Sequence, residues 1–377
     1  LAYLYANYQD HPYLFFLGAY RHNEVDSGHP LSRFIRKAGE NRQPLKEVRL
    51  EPLRPEHCHE MVAYILDTTL AQTKTLADFI CILTEGNPLF VSESLFYLHH
   101  EELLFLDEGG QWRWDLEKIR QSSMPTNVVA LFSSKIRKYP PELISLLEYC
   151  ACMGNTFSAD ELALISDRTL LETFSILKPA LGQGLLVENK DRLQFIHDKV
   201  QEATLSAIPA ERRRLIHWQI GNRLFGAVFG KALADAEKLD NLFTIVSHLN
   251  LGRDANPDKE TANFLSRLNY HAGNKALASL ATEAANEYFK LSRELLPPDC
   301  WEEGYYEDTF KVYQKAAKTE LMCGNYENSE ILLSELLAHA KTDLDKAECL
   351  AEQTTTLSSI GNIKKAIDTA NRGLAYF

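Results

Sequence analysis

The spacing of apolar residues changes from strand-like runs to a helical period within the first sixty residues. Leu14-Phe-Phe-Leu-Gly18 is a continuous apolar run, as expected of a strand buried on both faces of a parallel sheet. Pro30–Lys37 is predicted to be helical, and Val48-Arg-Leu50 to be a second short strand. These elements predict that residues 1–53 are one corner of an α/β domain.

From Arg54 the apolar residues recur at helical spacing. Thr75-Leu-Ala-Asp78 resembles a capping box and predicts the start of a helix that continues through Ile82. Gly86-Asn-Pro88 predicts its end, because Gly suits the position after a helix and Pro cannot continue one. A further helix is predicted at about Val91 to Leu104.

Two short runs around Gly109-Gly110 predict a β-hairpin, and they complete a mainly helical region over residues 54–124. The first run, Leu103-Leu-Phe-Leu-Asp-Glu108, also imitates a Walker B strand with its four apolar residues and two acids. The hairpin is the simpler interpretation, because no phosphate-binding loop precedes this run.

Residues 125–208 have the pattern of a winged-helix-like domain, in which three helices precede a β-hairpin. Ser158-Ala-Asp-Glu161 is a second capping box within this region. The predicted elements are helices near Val128–Arg137, Pro141–Cys152 and Leu170–Leu181, and two strands within Leu185–Phe195.

Residues 209–377 are predicted to be almost purely helical. An apolar stripe from Leu277 to Leu295 follows i, i+3, i+4 spacing until Pro297-Pro298 ends the helix. Gly324-Asn-Tyr326 and Gly361-Asn-Ile363 mark helical pairs 37 residues apart (361 − 324), close to the tetratricopeptide period of about 34. The region therefore predicts a solenoid of helical hairpins, which is a surface for protein partners.

Charge and composition narrow the possible functions. The net charge of −12 argues against general nucleic-acid binding, and the basic run Glu211-Arg-Arg-Arg214 is interpreted as solvated helix turns.

Seven cysteines without a paired framework suit a reducing, cytoplasmic compartment, and Cys150-Ala-Cys152 is interpreted as buried thiols. The longest apolar run, Tyr13–Tyr20, is too short to span a membrane. Because Leu1 opens directly into apolar sequence, we expect the chain to be a piece of a longer protein.

No self-sufficient catalytic site is predicted. The nearest match to a phosphate-binding loop, Gly226-Ala-Val-Phe-Gly-Lys231-Ala232, is one residue short and lacks the hydroxyl that would hold Mg²⁺. We therefore expect the chain not to be an enzyme on its own.

Five motifs in order resemble one family. They are Gly18-Ala-Tyr-Arg-His-Asn-Glu-Val25, Glu85-Gly-Asn-Pro-Leu-Phe90, Gln111-Trp-Arg-Trp-Asp-Leu116, Phe195-Ile-His-Asp-Lys-Val-Gln-Glu-Ala203 and Ile245-Val-Ser-His-Leu-Asn250. This series resembles the STAND-class AAA-type ATPase region of large multidomain signalling kinases, which join a serine/threonine kinase, this ATPase with helical repeats, a GAF sensor and often a histidine kinase. The resemblance covers essentially the whole chain. It implies that residues 1–53 are the C-terminal remnant of an α/β P-loop nucleotide-hydrolase core and that residues 54–124 are its helical lid with a β-hairpin.

The resemblance implies a set of nucleotide contacts. Arg21 corresponds to a sensor arginine near the terminal phosphate, and Gly86, Asn87 and Pro88 to a lid motif on the adenine and ribose. His197 corresponds to a winged-helix histidine that faces bound ADP. The Walker A and B segments would precede Leu1, so we expect half of a nucleotide site, with ATP or ADP and Mg²⁺ bound by the longer protein and no cofactor bound by this chain.

The same residues also permit purely structural interpretations. Arg21 can be a surface arginine, Gly86–Pro88 a simple helix stop, and His197 a structural residue at a helix start. The leading functional hypothesis is a nucleotide-gated switch and scaffold within a signalling protein. The alternative is an inert adaptor whose repeats bind a protein partner. DNA binding is disfavoured, because the candidate recognition helix Thr169–Lys178 carries one lysine and one glutamate.

Overall fold

The computed structural model describes residues 17–20, 31–32, 35–36, 46–122, 124–228, 233–254, 257–302 and 304–376. The described chain is mainly helical, as predicted, with two small antiparallel sheets. It divides into two compact units, of which the first contains Leu1–Phe96 and Gly110–Trp112 and the second contains Tyr97–Gly109 and Arg113–Phe377.

Most of the predicted nucleotide-hydrolase corner lies outside the described residues. Leu31, Ser32, Ile35 and Arg36 are helical, in agreement with the helix predicted at Pro30–Lys37. The strand predicted at residues 14–18 falls mainly outside the described part, and Leu17 and Gly18 are not in a strand.

The strand predicted at residues 48–50 is wrong. Those residues form no strand, and the side chains of Val48 and Leu50 are 70% and 91% exposed. A strand is held by hydrogen bonds to a neighbour and by burial of alternate side chains. Neither apolar side chain is buried, so burial among the described residues does not hold this segment as a strand.

Two helices of the first unit run from Pro55 to Ile65 (α1) and from Leu70 to Thr84 (α2). Pro55 suits the first position of α1, where its missing N–H would have no helical partner. The predicted start of the second helix at Thr75 is wrong, because α2 begins at Leu70, directly after its N-cap residue Thr69. The Gln72 side-chain oxygen accepts the Thr69 N–H at 3.3 Å, so Thr69 and Gln72 form the capping box.

A third helix, α3 (Pro88–His100), precedes the predicted hairpin, formed by β1 (Leu104–Leu106) and β2 (Trp112–Trp114). Gly110 adopts a φ of +73° in the turn, a left-handed conformation that glycine adopts without strain. The hairpin interpretation is therefore confirmed over the Walker B interpretation.

The second unit contains the winged-helix-like domain. Its elements are α4 (Leu116–Gln121), α5 (Val128–Ile136), α6 (Pro141–Met153), β3 (Thr156–Ser158), α7 (Ala159–Ser166), α8 (Leu170–Gly182), β4 (Leu186–Asn189), β5 (Arg192–Phe195) and α9 (Asp198–Ala207). The sheet order is β3-β5-β4, with Phe157 opposite Leu193 and Leu186 opposite Phe195. The rings of Phe157 and Phe195 pack edge to face at 6.0 Å in the core. Ser158 caps α7 by accepting the Glu161 N–H, which confirms the helix start predicted there.

The rest of the second unit is helical. Its α-helices are α10 (Ala210–Val228), α11 (Leu242–Gly252), α12 (Lys259–Ala278), α13 (Thr282–Glu294), α14 (Tyr306–Met322), α15 (Tyr326–His339), α16 (Asp343–Ser359) and α17 (Ile363–Leu374), with a 3₁₀ turn at Leu233–Lys238. The last six α-helices pair as three hairpins, α12/α13, α14/α15 and α16/α17, in agreement with the predicted solenoid.

The turns within these hairpins share one backbone conformation. Gly324 and Gly361 have φ values of +83° and +77°, as the predicted glycine turns require. In the first hairpin the corresponding residue is Leu280, at φ +60° and 90% exposed. The apolar stripe predicted as one helix from Leu277 to Leu295 is therefore two helices, because a leucine takes the turn position that glycine holds in the other hairpins.

One hydrophobic core joins the winged-helix-like domain to the first hairpin. It contains Cys152 of α6, Ile165 of α7 and Ile208 after α9, and it continues through α10 and α11 into α12. A second core lies in the hairpins and combines Phe289 of α13 with residues of α14, α15 and α16. The winged-helix-like domain and the repeats are thus parts of one packed structure.

Candidate functional site

The segment predicted as a nucleotide lid forms a tight connection between α2 and α3. Gly86 has a φ of +72°, and a β-carbon built there would lie 2.3 Å from the Leu53 carbonyl oxygen. The Leu53 N–H donates to the Gly86 carbonyl at 2.8 Å. Only glycine fits this close approach of two backbone segments.

The next two residues begin α3. The Asn87 side-chain oxygen accepts the Phe90 N–H at 3.1 Å, which caps the helix, and Pro88 is its first residue. Both Asn87 and Pro88 are exposed to solvent, whereas Gly86 is buried. The segment is therefore a helix stop followed by a helix start, and it presents an exposed amide and an exposed proline ring.

His197 is the N-cap of α9, and its side chain is 38% exposed. Its Nδ1 accepts the Lys199 N–H at 3.1 Å and lies 2.6 Å from the Asp198 carboxylate. Nδ1 can accept from Lys199 only without a proton, and it can donate to Asp198 only with one. The two contacts belong to different protonation states of the ring. In the state that caps the helix, a neutral ring carries its proton on Nε2, where it can donate to an anion.

An open groove of about 420 Å³ lies along α9 beside His197. Its lining residues are Asp198, Gln201, Glu202, Leu205, Ser206 and Arg213. The negative charges of Asp198 and Glu202 in this lining repel a polyphosphate, and the positive charge of Arg213 offsets only part of that repulsion.

The backbone of the Gly86–Pro88 segment does not form a phosphate cradle. A phosphate cradle consists of successive backbone N–H groups, with a hydroxyl for Mg²⁺, and the Gly86 backbone contacts Leu53 instead. The candidates also fall into separate parts of the chain, since Gly86–Pro88 lie in the first unit and His197 in the second. Arg21 lies outside the described residues.

Two arginines of the basic run, which lies in the first turns of α10, form ion pairs. Arg212 contacts Glu148 at 3.1 Å, and Arg214 contacts Glu211 and Asp254, each at 2.6 Å. The interpretation of this run as part of a helix is confirmed. The charges of Arg212 and Arg214 serve contacts within the protein.

Cys150 and Cys152 are buried thiols, as predicted. Their side chains are 0% and 7% exposed. Burial raises the pKa of the Cys152 thiol to about 11, which keeps it protonated and unreactive at neutral pH.

The sequence did not reveal a histidine pair between α10 and α11. The Nδ1 atoms of His217 and His248 lie 2.9 Å apart, and their rings are tilted by 33°. Burial lowers the pKa of both rings, that of His248 to about 4, and the positive charge of Arg213 adds to the effect on His217. The only sequence signal was the presence of His248 in the Ile245–Asn250 motif, which does not identify its partner.

Within the described ranges, no group of three or more His, Cys, Asp or Glu side chains is arranged to hold a metal ion. None of the helices in those ranges is both long and apolar enough to cross a membrane.

Comparisons with known proteins agree with the motif series. No protein-family model matches the chain. Over an alignment of 403 positions the chain is 25% identical to hybrid signal transduction histidine kinase G of Dictyostelium discoideum. The alignment covers 90% of this chain but only 11% of that protein. The predicted resemblance to large multidomain signalling kinases is confirmed by this similarity.

A solved structure with a likeness to the chain is a STAND protein with a tetratricopeptide repeat sensor from Pyrococcus horikoshii. It shares 16% sequence identity, with a TM-score of 0.33, over 88% of this chain and 48% of that protein. The chain thus spans about half of that protein and a small part of the kinase.

Proposed function

We propose that the chain is a regulatory and protein-interaction segment of a multidomain signalling kinase, in which it relays a nucleotide-dependent change to its helical repeats. The observation that carries this proposal is the single hydrophobic core that runs from α6 of the winged-helix-like domain through α10 and α11 into α12. Because packed cores do not deform continuously, a displacement of α9 or α10 is passed to the first hairpin. The similarity to a hybrid histidine kinase supports the signalling context.

His197 is the proposed point of contact with the nucleotide. In its capping state the ring holds the start of α9 through the Lys199 N–H. Donation from Nε2 to an anion leaves this cap in place, whereas protonation of Nδ1 turns the ring toward Asp198 and removes the cap. His197 can therefore couple the charge of a ligand beside its ring to the capping of α9.

The relay is tested by measuring nucleotide binding to the longer protein, expressed with its upstream residues. We expect ADP to slow backbone hydrogen exchange in α9, α10 and α12 when the relay operates. His197→Asn keeps a good N-cap but removes the imidazole, and His197→Ala removes both. A relay through the imidazole predicts weaker ADP binding in both variants, and Arg21→Ala should also weaken it.

An inert adaptor is a second candidate, favoured by one observation. Asn87 and His197 already act as helix caps, so a structural role explains both side chains without a nucleotide. If His197→Asn binds ADP as well as the native protein and exchange in α12 does not respond to ADP, the adaptor is the better account. Tight binding of labelled ADP by the present chain alone would contradict the proposal of a half site.

A further inference from the structure

Two free cysteines face each other across the α1/α2 hairpin. Cys58 lies in the first turn of α1, and Cys81 lies in the last turn of α2. The side chain of Cys58 is hydrogen-bonded to that of Cys81. Cys58 is 0% exposed, whereas Cys81 is half-buried. The pair therefore consists of one thiol that is closed to solvent and one that is partly open to it.

Backbone contacts on both sides of the two thiols fix their register. The residue numbers of Leu53 and Gly86, whose backbones are joined by a 2.8 Å hydrogen bond, have the same sum as those of the two cysteines (53 + 86 and 58 + 81). Further into the hairpin, Nε2 of His59 lies 2.9 Å from the Asp78 carboxylate. Facing residues of an antiparallel helix pair keep a nearly constant sum, because both helices advance by the same rise. The packing of the hairpin thus brings the two thiols together.

The difference in exposure decides which thiol an oxidant meets first. Burial, and then the neighbouring Cys81, raise the pKa of the Cys58 thiol to about 12, which keeps it protonated at neutral pH. A protonated and enclosed thiol is a poor nucleophile. An oxidant therefore reaches Cys81, and Cys58 is the resolving thiol that lies in contact with it.

We propose that Cys58 and Cys81 are a redox modification site, at which hydrogen peroxide converts the two thiols into a reversible disulfide between α1 and α2. The Cys81 thiolate attacks one oxygen of the peroxide, the O–O bond breaks, and the departing hydroxide takes up a proton to become water. The Cys58 sulfur then attacks the sulfur of the Cys81 sulfenic acid, and the S–O bond breaks. The Cys58 proton goes to the departing hydroxide, which leaves as a second water. Two electrons pass from the thiols to the peroxide.

The disulfide acts close to the Gly86–Pro88 segment. It closes a loop of 24 residues (81 − 58 + 1) and lies five residues along the chain from each partner of the Leu53–Gly86 hydrogen bond (58 − 53 and 86 − 81). A crosslink of this kind restricts the separation of the two helices. Oxidation therefore fastens the Gly86–Pro88 segment to the start of α1, and reduction releases this restraint.

Oxidation of the native chain followed by thiol mapping tests the proposal. Hydrogen peroxide is added, free thiols are alkylated, and disulfides are located by mass spectrometry of peptides before and after reduction with dithiothreitol. We expect a disulfide within one chain, between Cys58 and Cys81, that dithiothreitol reverses. Backbone hydrogen exchange in α1 and α2 should slow by about tenfold or more on oxidation, because the crosslink opposes opening of the hairpin.

The other cysteines supply matched controls. Cys323 is also half-buried, but the charged groups that act on its thiol are carboxylates, so it should be oxidised without joining a disulfide within the chain. Cys150 and Cys152 are both buried and should stay reduced under the same treatment. Cys81→Ser should abolish the disulfide and the slower exchange. Cys58→Ala should leave Cys81 as a sulfenic acid that dimedone labels.

Four results would overturn the proposal, with peroxide raised until Cys323 reacts. The first is a Cys81 that can still be fully alkylated. The second is accumulation of Cys81 sulfinic acid beside a reduced Cys58, because Cys58 would then not act as the resolving thiol. The third is a disulfide that joins two chains. The fourth is the expected disulfide without slower exchange in α1 and α2. None of these measurements involves ADP, so they leave the nucleotide relay to its own test.

Discussion

Gly252, the last residue of α11, has no room for a side chain. A β-carbon there would lie 2.2 Å from the backbone nitrogen of Trp218 in α10, so the two helices approach closely at this point. Arg214 donates to the Gly252 carbonyl at 3.2 Å across the same contact. Because backbone rather than a flexible side chain is in the way, any larger residue must separate the helices.

Gly252→Ala should therefore lower the free energy of unfolding by about 2 kcal/mol, a typical cost of overpacking a close contact. Urea denaturation followed by circular dichroism measures the change. Gly226→Ala is the control, since a β-carbon at this α10 position meets no atom within 4 Å. It should be neutral or stabilising by up to about 1 kcal/mol. Equal effects of the two substitutions would contradict the close approach.

The His217–His248 pair predicts an acid-sensitive stability. The pKa of His248 is lowered to about 4 by burial and by His217, so the folded state binds fewer protons than the unfolded state, whose histidines titrate near pH 6.5. The stabilising contribution of the neutral ring is complete above pH 6.5. It is lost as the pH falls from 6.5 toward 4, by up to about 3 kcal/mol.

The double variant His217→Leu/His248→Leu should show a weaker fall in unfolding free energy between pH 7 and pH 4.5 than the native chain. Both partners are replaced together, so neither buried ring is left without a hydrogen bond. His57→Gln, at an exposed histidine, should leave the pH dependence unchanged. A double variant with the native pH dependence would exclude the pair as its cause.

At the scale of elements, helix caps fix several boundaries. Thr169 begins α8 through a reciprocal pair of contacts. Its hydroxyl accepts the Glu172 N–H at 3.3 Å, and the Glu172 carboxylate accepts the Thr169 N–H at 2.8 Å. Hydrogen bonds from Thr169 lower the pKa of Glu172, which is the electrostatic signature of the same cap.

Thr169→Ala should cost about 1 kcal/mol of unfolding free energy, since it removes the acceptor for the Glu172 N–H. Thr355→Ala, at an exposed position inside α16, is the matched control and should change stability by less than about 0.5 kcal/mol. Faster hydrogen exchange confined to the first turn of α8 would locate the effect. Its absence would mean that tertiary packing alone fixes this boundary.

Elements were predictable where one local signal decides the backbone conformation. Gly324 and Gly361 identified two hairpin turns, because glycine adopts a positive φ without strain. The third turn was missed, because Leu280 adopts this conformation under the constraint of the helices that it joins. Strand β3 was also missed, since its three residues form a strand only by pairing with β5, far along the chain.

The candidate site was less predictable than the fold. Gly86 was identified by its motif, and its close contact with Leu53 explains why glycine is required. His197 was placed correctly at a helix start, but its contacts with Lys199 and Asp198 depend on a proton that a sequence pattern does not report. The His217–His248 pair depends on how α10 and α11 cross, which no local signal encodes.

At the scale of the whole molecule, one aromatic contact joins the two cores of the second unit. Phe243 of α11 and Tyr288 of α13 stack at 5.7 Å, and each packs against both cores. Trp218 packs against the first core and Trp301 against the second. Fluorescence of these two residues can therefore follow the cores separately.

Phe243→Ala should separate the unfolding of the two cores, because it removes about 2 kcal/mol of shared apolar contact. In a background with Trp112 and Trp114 replaced by phenylalanine, variants that retain only Trp218 or only Trp301 report the two urea midpoints. We expect these midpoints to diverge in Phe243→Ala. The exposed residue Phe105 supplies the control, and Phe105→Ala should leave them unchanged. Coincident midpoints in both variants would mean that other contacts couple the cores.

The shortness of the strands in the winged-helix-like domain bears on how the protein behaves at high concentration. Its sheet has the order β3-β5-β4, so both outer strands present a backbone edge, yet they are three and four residues long. The outer strand β4 also carries the exposed carboxylate of Glu188. An edge that is short and charged recruits foreign strands poorly. These short edges, one of which carries a charge, therefore resist aggregation.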